Sequence, residues 1–287
     1  MMISINKKKC SSCGFCVKEC IRGVYKQTDD EVVVVRPKAC YYCGHCIAVC
    51  PRDAIEHSKM EYTQIEKPSF RSDDLSVDYK NIVRLRRSVR NYKDKDVSRK
   101  LLEEILDVPR YSPTAHNLQD VEYIVITDKN ILNDISKILR DKFVKYLTFI
   151  EKPWVRIIIN LLMKIPSLKM LKSFIEDSEY YKELLASGRD VVFYNAPSLI
   201  LLYAKPSPLA EADCYIAATN IINHTVTLGL GTCFIGVLTK SLRFNKALVK
   251  MLGIPPKRKL FVALTCGYPE YKFIRTVARK PISITWK

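Results

Sequence analysis

The sequence predicts two domains of mixed α+β class: a small one built on a repeated cysteine unit, then a larger one with a central sheet flanked by helices. Three observations predict this. Of eleven cysteines in 287 residues, eight fall between positions 10 and 50. The pattern dissolves into a polar connector after Ile55, and a chain of different character follows. In that second part, strands and helices intermix without the regular βαβ alternation of a doubly wound sheet. The expected boundaries are residues 1–60 for the first domain, 61–79 for the connector and 80–287 for the second domain. At 48% hydrophobic, the chain can bury one sizeable core and a smaller one.

The first domain is a duplication. An offset of 30 residues places Cys10, Cys13, Cys16 and Cys20 on Cys40, Cys43, Cys46 and Cys50, and Gly14 on Gly44. Between the halves, the β-branched run from Glu31 to Arg36 reads as a short strand, with Gly23 and Pro37 punctuating turns. Each half carries C-x2-C-x2-C-x3-C. Bacterial ferredoxins hold [4Fe-4S] clusters by this spacing, and the fourth cysteine of each run crosses to the other cluster. Cys10, Cys13, Cys16 and Cys50 are thereby assigned to one cluster, and Cys40, Cys43, Cys46 and Cys20 to the other. Zinc competes for such residues, but its tetrahedral sites use separated C-x2-C pairs rather than a repeated cysteine triplet. Pro51 follows Cys50 as the ferredoxin pattern expects, whereas Ile21 follows Cys20. His45 reads as a neighbour and not a ligand, since four thiolates are already supplied. A two-cluster [4Fe-4S] ferredoxin-type domain moves single electrons.

The second domain shows helical periodicity over Lys80 to Arg87 and over Lys100 to Leu106, the latter opened by Ser98 as an N-cap. Val121 to Thr127, Ser198 to Ala204 and Leu260 to Cys266 read as strands, and Ala212 to Leu228 as a long apolar helix ended by Gly229. Cys214, Cys233 and Cys266 sit in apolar settings and read as buried, inert thiols. The run Arg86-Arg87-Ser88-Val89-Arg90 offers guanidinium forks and a hydroxyl, a chemistry suited to a phosphate dianion. The segment 137–173 holds nine basic and two acidic residues mixed with aromatics. It reads as a lid, with a partner-docking or membrane-touching surface as alternatives.

Five segments taken together resemble the nitroreductase family over residues 80 to 281. They are Arg86 to Tyr92, Tyr111 to Gln119, Asn195-Ala196-Pro197, Gly229 to Gly236, and Gly267-Tyr268-Pro269 followed by Arg279-Lys280-Pro281. The resemblance implies a homodimer with FMN at the subunit interface. It implies that Arg86, Arg87 and Ser88 bind the phosphate and ribityl chain and that Arg90 faces the N1 and O2 edge of the flavin. Asn117 would lie beside the ring and the Ile235-Gly236 backbone against N5, with Arg279, and Lys280 behind it, closing on the phosphate. His116 and Asn117 are the candidate catalytic side chains. One departure is that Gln119 is followed by Asp120-Val121 where the family commonly has Pro-Trp.

The formal charge of +17 concentrates late: residues 239–287 carry twelve basic side chains and one acidic, Glu270. Such a field suits anionic cofactors or an acidic donor protein. No basic stretch is interleaved with a recognised nucleic-acid module, which argues against nucleic acid. Met1 to Lys9 has no apolar run behind it and no stretch is long enough to span a bilayer, so the expectation is a cytoplasmic protein with no transmembrane segment. The expected function is an iron–sulfur flavoprotein. It would pass electrons from a donor, reduced ferredoxin or NAD(P)H, through two clusters to FMN and on to a small organic acceptor such as a nitro, quinone or enone compound. The competing reading is an electron-transfer or redox-sensing protein with no organic substrate.

Overall fold

The computed structural model describes residues 2–60, 62–65, 74–161, 178–242, 245–271, 273, 276–277 and 279–287. Contacts divide the chain into two units, Met1–Asp73 with Thr114–Leu118, and Asp74–Pro113 with Gln119–Lys287.

In the first unit, β1 (Ile3–Ile5) is followed by helix α1 (Phe15–Glu19), strands β2 (Tyr25–Gln27) and β3 (Val32–Val34), helix α2 (His45–Ala48) and strand β4 (Ile55–His57). Two antiparallel ribbons result, β1 with β4 and β2 with β3. The duplication extends to the backbone. Left-handed φ values recur at the 30-residue offset: 53° and 54° at Ser12 and Tyr42, 74° and 73° at Gly14 and Gly44, 59° and 49° at Gly23 and Asp53. Gly14 and Gly44 each start the short helix that carries the third cysteine of its run. The core is small, made of Ile3, Val24, Tyr25, Val32, Ile47 and Ile55 with Cys16 among them.

The second unit opens with α3 (Leu75–Leu85), whose N-cap Asp74 accepts a hydrogen bond from the Val77 amide at 3.0 Å. Residues 75–79, expected in the connector, are thus the first turns of a capped helix. Helix α4 (Arg99–Asp107) begins at Ser98 as expected, the Ser98 hydroxyl accepting from the Leu101 amide. Then come β5 (Glu122–Ile126), α5 (Lys129–Ile150), α6 (Pro153–Leu161), α7 (Ser178–Ala186), β6 (Ser198–Ala204), α8 (Ala210–Thr227), β7 (Gly231–Phe234), α9 (Gly236–Ser241), α10 (Lys246–Met251) and β8 (Lys259–Gly267).

The sheet runs β5-β6-β8-β7, with every neighbouring pair antiparallel. Strand β6 is buried along its whole length because both of its faces are covered. Ile200 and Leu202 pack with Ala217, Ala218 and Ile221 of α8 and with Ile105 of α4. Leu199 and Leu201 pack with Ile135 and Leu139 of α5 and with Phe193. The result is a helix-flanked α+β sheet. Among the described residues no helix is long and apolar enough to cross a membrane. Residues 162–173, the second part of the expected lid, lie outside the described residues.

Candidate functional site

In the first unit a cavity is lined by Cys10, Cys13, Cys16 and Cys50, walled by Val32, Ala54 and Ile55. The first three cysteines of one run therefore share a space with the fourth cysteine of the other. Among the described residues, no group of three or more His, Cys, Asp or Glu side chains closes round a single metal ion. Three cysteines of one run gathered with the fourth of the other fit a polynuclear cluster better than zinc, whose sites use separated C-x2-C pairs. Burial pushes the Cys16 thiol up to about 11. A bound metal reverses that preference, because its charge favours the thiolate.

The second cysteine set is approached by several donors. The Tyr25 hydroxyl donates to Cys46 Sγ at 3.1 Å, and the Tyr42 amide donates to Cys40 Sγ at 3.3 Å. His57 Nε2 lies 3.5 Å from Cys40 Sγ. His45 makes an exposed contact with Glu19 instead of turning to a sulfur.

His116 and Asn117 group with this first unit. Asn117 Nδ2 donates to the carbonyls of Tyr41 at 3.2 Å and Tyr42 at 3.1 Å, and the His116 ring meets Tyr41 edge-on at 5.7 Å. His116, Asn117 and Gln119 have φ values of 51°, 54° and 50°, an unusual left-handed run for residues other than glycine.

In the second unit the arginine segment is held against the sheet edge. The Val89 amide donates to the Thr232 carbonyl at 3.0 Å, and Ser88 and Thr232 form a parallel bridge. Gly231 is needed for that approach: a Cβ there would stand 2.3 Å from Val89 Cγ2. Gly267 plays the same part further on, where a Cβ would meet Pro197 Cδ at 2.5 Å and Tyr92 Cδ1 at 2.8 Å. The buried Tyr92 and Thr265 hydroxyls are 2.8 Å apart. Thr265 can donate to the Cys233 carbonyl, which leaves Tyr92 as the donor between them.

The segment's arginines separate. Arg90 lines a cavity of about 730 Å³ together with Ile235, Gly236, Tyr194, Arg140 and Arg189. Arg86 and Arg87 line a neighbouring cleft of about 350 Å³ beside Gly229 and Tyr268, and Glu270 and Tyr271 line both. Arg87 Nη1 donates to the carbonyls of Arg84 and Arg86, each at 2.6 Å, while its Nη2 is buried with no hydrogen-bond partner. A buried guanidinium nitrogen left unpaired is costly, and an anion reaching it would supply the missing acceptor. The residues present thus fit a phosphate. Arg279 and Lys280 are exposed and line neither cavity.

Ser88 and Arg90 both act on Cys233: burial pushes its thiol up, and the Arg90 charge with hydrogen bonds from both side chains partly offsets this. Burial alone dominates at Cys214 and Cys266, pushed up to about 12, consistent with inert thiols.

Sequence reading missed the device that shapes the larger cavity. Asp190 Oδ1 accepts from the Ser136 hydroxyl at 2.6 Å and from the amides of Val192 at 3.0 Å and Phe193 at 3.1 Å. Its Oδ2 accepts from the Asn195 amide at 3.1 Å. The carboxylate thus holds Tyr194 and Asn195 in left-handed backbone, with φ of 60° and 55°. Arg90 stands 5.9 Å over the Tyr194 ring. An aspartate a few residues before Asn-Ala-Pro was the available signal. The Gly229 to Gly236 segment contains edge strand β7 and sets Ile235 through a hydrogen bond that its backbone amide donates to the Ala263 carbonyl at 2.8 Å.

Comparison with known proteins agrees with this division. Residues 83–268 match the model of the nitroreductase family, and residues 2–51 match that of a 4Fe-4S dicluster domain. A 4-nitrobenzoate reductase from Nocardioides sp. (strain LMS-CY) is 26% identical over 66% of this chain and 79% of its own length. Iodotyrosine deiodinase 1 of Mus musculus is 23% identical over 76% of this chain and 70% of its own. A crystal structure of a nitroreductase with bound FMN from Bacteroides fragilis NCTC 9343 shares the fold. Its TM-score is 0.52 at 19% identity, covering 73% of this chain and 98% of that one.

Proposed function

Because the chain belongs to the nitroreductase family and carries an N-terminal 4Fe-4S dicluster domain, we propose that it is a homodimeric, FMN-dependent oxidoreductase fed by one-electron carriers. When bound, the clusters and FMN convert single electrons from reduced ferredoxin into the two-electron reduction of a nitro, quinone or enone acceptor. One observation carries the reading: a single chain holds both a four-cysteine cavity and a family fold in which an arginine with an unpaired buried nitrogen lines a cleft next to a larger cavity.

The residues divide the work. Cys10, Cys13, Cys16 and Cys50 would hold one cluster, and Cys40, Cys43, Cys46 and Cys20 the other. Arg86, Arg87 and Ser88 would grip the phosphate and ribityl chain, with Arg279 and Lys280 approaching from the exposed C-terminal stretch. Arg90 would place positive charge at the pyrimidine edge of the flavin, where reduced flavin gathers negative charge. Ile235 and Gly236 would form the wall beside N5. Tyr194, Phe143 and Arg140 line the same cavity and would exclude water from a flat acceptor while leaving it a cationic neighbour.

The experiment is anaerobic purification with cofactor analysis, then turnover with reduced ferredoxin and with NAD(P)H against nitro, quinone, enone and iodoaryl acceptors. Expected are one FMN and about eight iron and eight sulfide per chain, with ferredoxin-driven reduction of at least one acceptor class. Zinc in place of iron, or FMN absent after reconstitution, would refute the reading.

A further inference from the structure

The two cysteine runs have the same spacing, so ligation alone would give two alike clusters. What surrounds the sulfurs is not alike. At the second set, Tyr25 donates its hydroxyl to Cys46 Sγ at 3.1 Å. His57, only 3% exposed, sets its Nε2 at 3.5 Å from Cys40 Sγ. The proton on that nitrogen follows from the other side of the ring. His57 Nδ1 accepts from the Lys59 amide at 3.1 Å, so Nδ1 carries a lone pair and Nε2 the hydrogen. At the first set the corresponding donor is a backbone amide, from Ala54 to Cys50 Sγ at 3.3 Å. Among the described residues, side-chain donors to a ligand sulfur occur at the second set and not at the first.

The duplication shows where the symmetry breaks. Strands β2 (Tyr25–Gln27) and β4 (Ile55–His57) are equivalent under the 30-residue offset. Tyr25 therefore corresponds to Ile55, which lines the first cavity and has nothing to donate. His57 corresponds to Gln27, whose amide donates to the Ser12 carbonyl and so bypasses the cysteines. Two positions differ, and both differences favour the second set.

A reduced cluster carries one more negative charge than an oxidised one, and part of it resides on the ligand sulfurs. A donor aimed at a sulfur therefore stabilises the reduced form more and raises the reduction potential. We propose that Tyr25 and His57 are positioning residues that set the Cys40–Cys43–Cys46–Cys20 cluster at a higher potential than its partner. One electron from a ferredoxin-class donor then leaves the first cluster oxidised and comes to rest on the second. The inference depends on the two-cluster reading above and goes beyond it by giving the module a direction.

The test is an electron-paramagnetic-resonance redox titration of the whole, anaerobically loaded chain, beside Tyr25→Phe and His57→Leu, with iron and sulfide counted in each. Tyr25→Phe removes a single oxygen and keeps the ring in the core, so it serves where His57→Leu fails to fold. Expected are two distinct midpoint potentials in the parent chain. In each variant the higher should fall about tenfold in electron-partition constant, or about 59 mV for a one-electron couple, while the lower stays in place and iron content is unchanged. A full complement of iron with neither potential moved, or with both moved equally, would overturn the inference. A parent chain without about eight iron would overturn the cluster reading and this inference with it.

Discussion

The two units solve the problem of holding a site in opposite ways. In the second, a four-stranded sheet is buried on both faces, and strand β6 has no exposed residue. The arginine segment and the Asp190 turn are attached to this packed frame through hydrogen bonds and close glycine contacts. In the first, among the described residues, no strand exceeds three residues, the α-helices are of four and five residues, and the apolar core is a handful of side chains. Cys16 belongs to that core, while Cys20, Cys40, Cys46 and Cys50 pack against it. A unit so small cannot stand on apolar burial alone, and metal ligation takes the place of the missing core. The difference teaches that in the first unit the cofactor is part of the fold, whereas in the second the fold precedes it.

The most drastic way to break this contrast is to remove the iron by chelation under oxidising conditions. Hydrogen exchange should then show protection lost throughout β1 to β4, while β6 and β8 remain protected. Persistence of protection in the cysteine-bearing unit would mean that it folds without metal.

A smaller effect is expected at the phosphate grip, because the frame there exists without its ligand. Arg86→Ala should weaken FMN binding about tenfold or more, the loss of a charge-assisted contact of about 1.5–3 kcal/mol, with the melting of the flavin-free chain unchanged. Unaltered affinity in fluorescence titration would place the phosphate elsewhere. The smallest change sharpens the contrast from inside the frame. Tyr92→Phe removes the hydroxyl that donates to Thr265 and should cost about 1 kcal/mol of stability in the second unit, read by urea denaturation, while iron content stays as it was.

How much of this was legible in the sequence differs between the units for the same physical reason. Ligand spacing in the first unit is local, so the two cysteine runs could be read from their intervals, and the structure brings Cys50 of one run to the cavity of Cys10, Cys13 and Cys16 of the other. In the second unit, the strands 198–204 and 260–266 and the Ser98 cap were readable because apolar runs and capping residues are local signals. The cavity was not, since it depends on contacts distant in sequence: Asp190 with Ser136, Val89 with Gly231, Tyr92 with Thr265. The hydrogen bonds from the Asn117 side chain to the Tyr41 and Tyr42 carbonyls were hidden as well. Nothing in the segment 111–119 by itself announces a partner some 75 residues earlier. The donors to Cys40 and Cys46 were likewise hidden, because Tyr25 and His57 lie outside the cysteine runs.

The central claim is that electrons reach the flavin by way of the cysteine-bearing unit. The direct measurement is anaerobic rapid mixing of the FMN-loaded whole chain with reduced ferredoxin, following flavin bleaching, beside a Cys13→Ser, Cys43→Ser double variant that retains FMN. The account predicts fast bleaching in the parent chain and at least a hundredfold slower bleaching in the variant, with reduction by NAD(P)H, where present, equal in both. Equal bleaching by ferredoxin in the two chains would contradict it.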